Sequence, residues 1–211
     1  MVAAGPTGLE LDGLIWSADG ACEVAAAVLR VAPGEVGVVV AEPSVGEGLA
    51  DVLTGLAAPA RGMIRLDGEP VTGAPGDRPI ALVPSGGGLL PHLTVERNVG
   101  FGLSGRVPRA ARRSRVNEVL GQLRLESLRR KHPHEISPVQ QLRVAVARAL
   151  CAPTEPVAVV VEDRSGQIPC RAAAVTAAGQ DLSVLIITDA AARIRMIGAS
   201  TQVSCRRLAR G

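Results

Sequence analysis

A chain of 211 residues with 47% apolar and 20% charged side chains has the balance of one globular domain with a substantial core, and not that of a disordered chain. Its longest apolar stretches, residues 36–41 and 157–161, are too short to cross a bilayer. The first residues carry no charged segment followed by an apolar core, so no signal peptide is expected and the chain reads as soluble and cytoplasmic. The net charge of +3 is modest and almost wholly arginine in its positive part, Lys131 being the single lysine. Trp16 and Phe101 are the only aromatic residues of the Phe, Trp and Tyr set.

Short runs of Val, Ile and Leu alternate with longer helical patterns, which predicts an α/β domain with buried strands. In chain order the reading is strand 9–15, strand 35–41, helix 48–56, strands 63–66 and 80–83, then helices 95–103, 109–125 and 139–150. Strand 157–162, helix 169–178, strands 182–188 and 193–197 and a hairpin end at 202–204 follow. The helical middle therefore interrupts a sheet and predicts a lobe. The expected organisation is one domain over residues 1–211, with a core of 1–90 and 151–211 and a helical lobe at about 91–150. The run Gly86-Gly87-Gly88 is expected to be a flexible connection into that lobe.

Cys22, Cys151, Cys170 and Cys205 lack metal-ligand spacing and read as free thiols. His92, His132 and His134 are too scattered for a metal site or a nucleophile–base pair. The arginine-rich stretch 106–115 has no aromatic interleaving and reads as a solvated helix face, not as a nucleic-acid patch. No metal site and no nucleic-acid partner are expected.

Four segments, in order, resemble the ATP-binding subunits of ATP-binding-cassette (ABC) transporters, especially the importer type. LTGLAAPARGMIRLDG at 53–68 resembles the stretch after that family's phosphate loop. LLPHLTVERNVGFGL at 89–103 resembles the segment after its Gln-containing loop, and PHEISPVQQLRVAVARAL at 133–150 its signature segment and helix. LIIT at 185–188 and RIRMIG at 193–198 fit its last strands. The resemblance implies a P-loop NTPase-like cassette: an α/β fold with a mixed sheet core, an antiparallel β part and a helical lobe. It also implies ATP and magnesium as ligands, with a membrane permease subunit or a second nucleotide-binding subunit as partners. The cassette would act as a dimer in the complex, peripheral at the inner face of the cell membrane.

The residues that would carry that chemistry are largely replaced. The phosphate loop, Gly-x-x-Gly-x-Gly-Lys-Ser/Thr, cradles phosphates with backbone N–H groups, Lys and a magnesium-holding hydroxyl. The corresponding stretch 41–48 places Ser44, Gly46 and Gly48 there, with Glu47 where Lys belongs. A carboxylate about 4 Å from a phosphate charge costs on the order of 4 kcal/mol at an effective dielectric near 20, about a thousandfold in affinity. Glu162 and Asp163 stand at the strand end in the reverse of the family's Asp-Glu order, which misplaces each carboxylate by about one methylene. They are the catalytic candidates. The signature Leu-Ser-Gly-Gly-Gln is Ile136-Ser-Pro-Val-Gln140, in which Ser137 and Gln140 persist and Ser137 reads as a helix cap. Ser85 takes the Gln-loop position and Asp189 the position of the switch histidine. Trp16 is the only candidate for stacking on adenine and reads better as packing.

The sequence thus predicts an ABC-type subunit that docks a permease or a sister cassette, with ATP binding and hydrolysis weak or lost. The alternatives are an active ATPase with an aberrant site that energises transport, and a free-standing pseudoenzyme with a regulatory or structural role.

Overall fold

The computed structural model describes residues 8–18, 22–25, 28–103, 105–164, 179, 181–189, 201–204 and 206–207, the segments 22–25, 201–204 and 206–207 by backbone pairing only. Two sheets lie at its centre. The antiparallel sheet joins β1 (Leu9–Ala18), β2 (Cys22–Ala25), β3 (Leu29–Val31), β5 (Arg61–Leu66), β6 (Glu69–Pro70) and β11 (Arg206–Arg207) in the order β11-β2-β1-β5-β6, with β3 also on β1. The second sheet has the order β10-β4-β9-β8-β7, from β4 (Val36–Val40), β7 (Ile80–Val83), β8 (Ala158–Asp163), β9 (Ser183–Thr188) and β10 (Thr201–Ser204), and all its pairs are parallel.

Strand type follows burial. In β1 the polar residues Glu10, Asp12 and Ser17 alternate with Leu9, Leu11, Leu14 and Trp16, all fully buried. The alternation slips between Asp12 and Ile15, where the register against β5 shifts and Gly13 takes φ +57. A bulge of that kind suits glycine, which meets no Cβ penalty at positive φ. Strands β8 and β9 are buried along their whole length, so each carries an unbroken apolar run, Ala158–Val161 and Val184–Ile187, in place of an alternation.

Helix α1 (Pro43–Thr54) and the antiparallel sheet cover one face of the parallel sheet, where Val39, Ala158, Val160, Leu185 and Ile187 meet Leu49, Leu53 and Trp16. Helices α2 (Val95–Val99), α3 (Arg109–Gln122) and α4 (Pro138–Leu150) cover the other face, against Val38, Val159, Val161, Val184 and Ile186. Each fully buried Val, Leu or Ile contributes roughly 1.5–3 kcal/mol. The parallel sheet is therefore anchored from both sides.

Several expected boundaries move. The helix expected at 48–56 starts five residues earlier, at Pro43. The helix expected at 95–103 breaks at Gly100 into α2 and a 3-10 turn, Phe101–Leu103, and α3 stops at Gln122 rather than 125. Strands β2, β3, β6 and β11 were not expected, and β1 runs on to Ala18. The expected helix 169–178 and strand 193–197 lie outside the described residues.

The glycine run 86–88 takes φ values of +76, +75 and +55, a left-handed path that side chains resist. Its end is tied by Arg148 of α4, whose guanidinium donates to the carbonyls of Gly88 at 2.6 Å and Gly87 at 3.0 Å. Cys151 is a buried free thiol whose pKa burial pushes up to about 11. No helix among the described residues is long and apolar enough to cross a membrane.

Candidate functional site

From Pro43 to Gly48, the stretch expected to form a phosphate-holding turn is instead the first half of α1. Strand β4 ends at Val40, only Ala41 and Glu42 intervene, and Pro43 opens the helix at a position where its missing N–H costs nothing. The Gly46 N–H donates to the Glu42 carbonyl at 2.9 Å. Ser44, Gly46, Glu47 and Gly48 are therefore residues of a helix, and from Gly46 on the N–H groups serve the helical ladder.

The two glycines have packing duties. A Cβ on Gly46 would stand 2.8 Å from Ile187 Cγ2 of β9. A Cβ on Gly48 would stand 2.8 Å from the Ser17 carbonyl oxygen and 2.9 Å from Trp16 Cδ1 of β1. Both distances are shorter than real contacts allow, so α1 sits close to both sheets because these positions lack side chains. Trp16 is fully buried beneath the helix and donates its Nε1–H to the Val45 carbonyl at 3.0 Å. Its ring is packing, as the sequence suggested.

Arg164, which sequence reasoning passed over, links the two acidic candidates. Its guanidinium pairs with Glu47 of α1 and, at 2.9 Å, with Glu162 Oε1 of β8. Glu162 is 6% exposed, and its second oxygen accepts from the Ser85 N–H at 3.4 Å. Burial pushes the Glu162 carboxyl above the ordinary carboxylate range; the Ser85 hydrogen bond works against this, and the charge of Asp51 adds to it. The crevice between α1, β8 and β9 is lined by Glu42, Pro43, Gly46, Glu162, Arg164 and Asp189, among others, and encloses about 10 Å³. That is the scale of a single water molecule.

Glu162 and Asp163 are neighbours in sequence but not in direction. Along β8, Ala158 and Val160 face the α1 side and Val159 and Val161 the α2–α4 side. Continuing the two-residue period puts Glu162 with the first row and Asp163 with the second. The structure thus joins Glu47 and Glu162 through Arg164, with Ser85 on Glu162 and Asp189 lining the same crevice, while Asp163 takes the other face of β8.

Ser137 and Gln140 lie apart, at the start of α4. Ser137 Oγ accepts from the Gln140 N–H at 3.3 Å, and Gln140 Oε1 accepts from the Ser137 N–H at 2.8 Å. This is a capping box, with Pro138 at the first helical position. Val139, where the family has glycine, is exposed.

A second residue missed in the sequence is Asn98, fully buried in α2. Its Oδ1 accepts from the Leu90 N–H at 2.8 Å, and its Nδ2 donates to the carbonyls of Leu90, Leu93 and Thr94 at 3.0–3.1 Å. One amide thereby fixes the loop 90–94 against the helix. A buried polar residue inside an otherwise amphipathic stretch is the signal that could have marked it.

Comparison with known proteins identifies the family and the fold. A family model described as ABC transporter matches residues 28–157. The putrescine transport ATP-binding protein PotG of Escherichia coli K12 is 37% identical over 145 residues, covering 67% of this chain and 38% of that protein. The Fe(3+) ions import ATP-binding protein FbpC of Pseudomonas fluorescens is 44% identical over 105 residues, 47% of this chain and 29% of that one. The chain thus spans about two fifths or less of these relatives' length. Among solved structures, cbiO1 of Clostridium perfringens, part of the ABC transporter complex cbiONQ, superposes with a TM-score of 0.73 at 20% identity, covering 98% of this chain and 88% of that one. With more than half of its residues matched by the family and its architecture shared with a solved cassette, the chain belongs to the ABC transporter family, as an importer-like nucleotide-binding domain.

Proposed function

We propose that this chain is a cassette subunit that docks a membrane permease or a sister cassette and has lost most or all of its capacity to bind and hydrolyse ATP. The observation that carries the reading is the course of α1. With the helix starting at Pro43, the connection from β4 has two residues and no loop long enough to wrap a phosphate. Of the backbone donors a phosphate would need, Pro43 has none and Gly46 is bound to Glu42. The lysine is Glu47, and Arg164 stands between Glu47 and Glu162 where a terminal phosphate and its magnesium would have to enter. These residues do not fit magnesium-ATP, so no hydrolytic step is assigned to them.

The docking half of the reading rests on what is kept. Segment 89–103 holds its family-like sequence, Asn98 clamps its fold, and Phe101 stays 53% exposed at its end. The relatives' names describe import and transport ATP-binding proteins, and the cbiO1 structure is described as part of a transporter complex. In such a complex this chain would sit as a peripheral subunit at the cytoplasmic face of the membrane, paired with a second cassette.

Two measurements test the proposal. Magnesium-ATP at a hundredfold excess over its dissociation constant stabilises a binding protein by about 2.7 kcal/mol. Here the thermal transition is expected not to move at millimolar nucleotide, and phosphate release should match that of a Glu162→Gln, Asp163→Asn variant. Steady release abolished by that variant would establish instead the second reading, an ATPase with an aberrant site. The buried Glu162 is the observation that favours it, because a carboxyl with raised proton affinity is suited to acid–base work. Co-purification of a membrane permease with the tagged chain tests docking, and a partner-free monomer recovered from membranes would count against it.

A further inference from the structure

The chain's charge is unevenly distributed. Positions 97–115 hold six arginines and no acidic residue, which leaves 17 basic against 20 acidic residues, a net −3, in the rest of the chain. From the sequence alone that stretch reads as a solvated helix face, but the fold gathers most of it on one surface. Arg97 of α2 and Arg109, Arg112 and Arg113 of α3 stand together there, and Arg106 comes three residues before α3. Only Arg115 turns elsewhere, to Glu118 at 3.1 Å and the Leu150 carbonyl at 3.2 Å. Gly100 brings the two helices together: a Cβ there would stand 2.9 Å from Val116 Cγ2.

This gathering is unfavourable within the chain itself. Arg97, Arg109 and Arg113 are exposed and form no ion pair among the described residues. The one acidic residue on the same surface, Glu96, is taken at 3.0 Å by Arg129. The first turn of α3 contains no acidic residue, so its arginines lie at the positive end of the helix dipole, where cations are disfavoured. Packing does not require them, because α3 buries Val116, Val119 and Leu120 instead. Beside the arginines stands Phe101, 53% exposed. A patch that repels itself and carries an unburied aromatic ring fits an outside partner that is both anionic and apolar.

We propose that this surface binds the anionic phospholipid headgroups of a bilayer, with the arginines on phosphate groups and Phe101 entering the interfacial layer. The chain then attaches to a membrane with no permease present. Clusters of about four to eight basic residues on one helix face are of the size that holds a protein on anionic lipid. Each arginine near such a surface is worth about fivefold in partitioning, so four amount to several hundredfold. The net −3 of the remaining chain is repelled by the same surface and turns the patch toward it. A free phosphate offers the same charge but leaves Phe101 in water. A single-stranded nucleic acid needs a basic track with successive aromatic platforms, and here one phenylalanine stands in a single cluster. The inference is independent of the docking reading above.

The test floats the full chain, with no permease added, on vesicles of phosphatidylcholine alone or with about one third phosphatidylglycerol. Binding to the anionic vesicles should be several hundredfold tighter at low salt, and the preference should shrink as salt rises. The variant Arg97→Gln, Arg109→Gln, Arg113→Gln should lose about a hundredfold, and the corresponding triple Lys variant should keep binding. If the triple Gln variant does not fold, each single Gln variant should lose about fivefold. Arg61→Gln, Arg65→Gln, Arg124→Gln, which removes the same charge elsewhere, should bind like the parent. Phe101→Ser should weaken binding about fivefold at both salt concentrations. Equal binding to both vesicles, parent-like binding by the patch variant or an equal loss in the control variant overturns the inference. So does release by millimolar inorganic phosphate at constant ionic strength, or tighter binding of a single-stranded oligonucleotide than of the vesicles. Permease capture by a chain indifferent to lipid would leave docking intact and overturn this inference alone. Lipid binding by a chain that captures no permease would support it and count against the docking reading.

Discussion

Arg164→Ala removes the cation that joins α1 to β8, and its cost can be worked from the exposure of the two arms. The Glu47 side chain is 51% exposed, so that arm is worth about 0.2–1 kcal/mol after solvent screening. The Glu162 side chain is 8% exposed and the arginine 34%. Stripping the partner from a fully buried carboxylate costs roughly 3–5 kcal/mol. Here the arginine reaches water, and Glu162 can take up a proton more readily than an ordinary carboxyl, so about half of that lower figure applies. The expected total is about 2 kcal/mol. Urea unfolding of parent, Arg164→Ala, Glu162→Gln and the double variant measures it. The double variant should fall short of the summed single effects by about 1 kcal/mol or more, because a neutral amide no longer needs the arginine. Arg164→Ala should also gain no magnesium-ATP stabilisation, since Pro43 offers no N–H, the Gly46 N–H stays bound to Glu42 and Glu47 remains in place of the lysine. A variant within about 0.5 kcal/mol of the parent, or an additive cycle, would refute the idea that this ion pair holds the crevice closed.

Because Glu162 binds its proton more tightly folded than unfolded, its contribution to stability is full below the ordinary carboxylate range and is lost as pH rises through the folded value. Glu162→Gln should therefore gain on the parent between acid and neutral pH, read by urea unfolding across pH; a constant difference would contradict the burial argument. Gly48→Ser, which restores the family's hydroxyl, drives a Cβ into the Ser17 carbonyl and the Trp16 ring and should cost about 1–2 kcal/mol without creating a magnesium site. Single-tryptophan emission should report the same change, as Trp16 is the only indole in the chain. Asn98→Ala takes the side-chain partner from the Leu90 N–H and the Leu93 carbonyl, while the Leu90 and Thr94 carbonyls keep backbone donors, and should cost about 2–3 kcal/mol, with the loop 90–94 losing hydrogen-exchange protection first. Ser137→Ala removes the α4 cap and should cost about 1 kcal/mol by thermal unfolding, with no effect on any nucleotide response.

The sequence by itself determined the order of the elements, the buried parallel strands and the membership of the family. Those properties are local or periodic: a run such as Ala158–Val161 is buried on both faces, and Ser137-Pro138 with Gln140 can cap a helix from within four residues. The start of α1 was also written locally, in Pro43, but the family pattern drew the expectation toward a loop. Tertiary packing decided instead how closely that helix lies, because Gly46 and Gly48 let it press against Ile187 and Trp16. Only the fold could bring Arg164 to Glu47, 117 positions away, or turn Glu162 toward α1 and Asp163 from it. The spacing of residues along a chain fixes which face each one takes on its own strand or helix; which charges then meet across elements depends on how those faces are stacked.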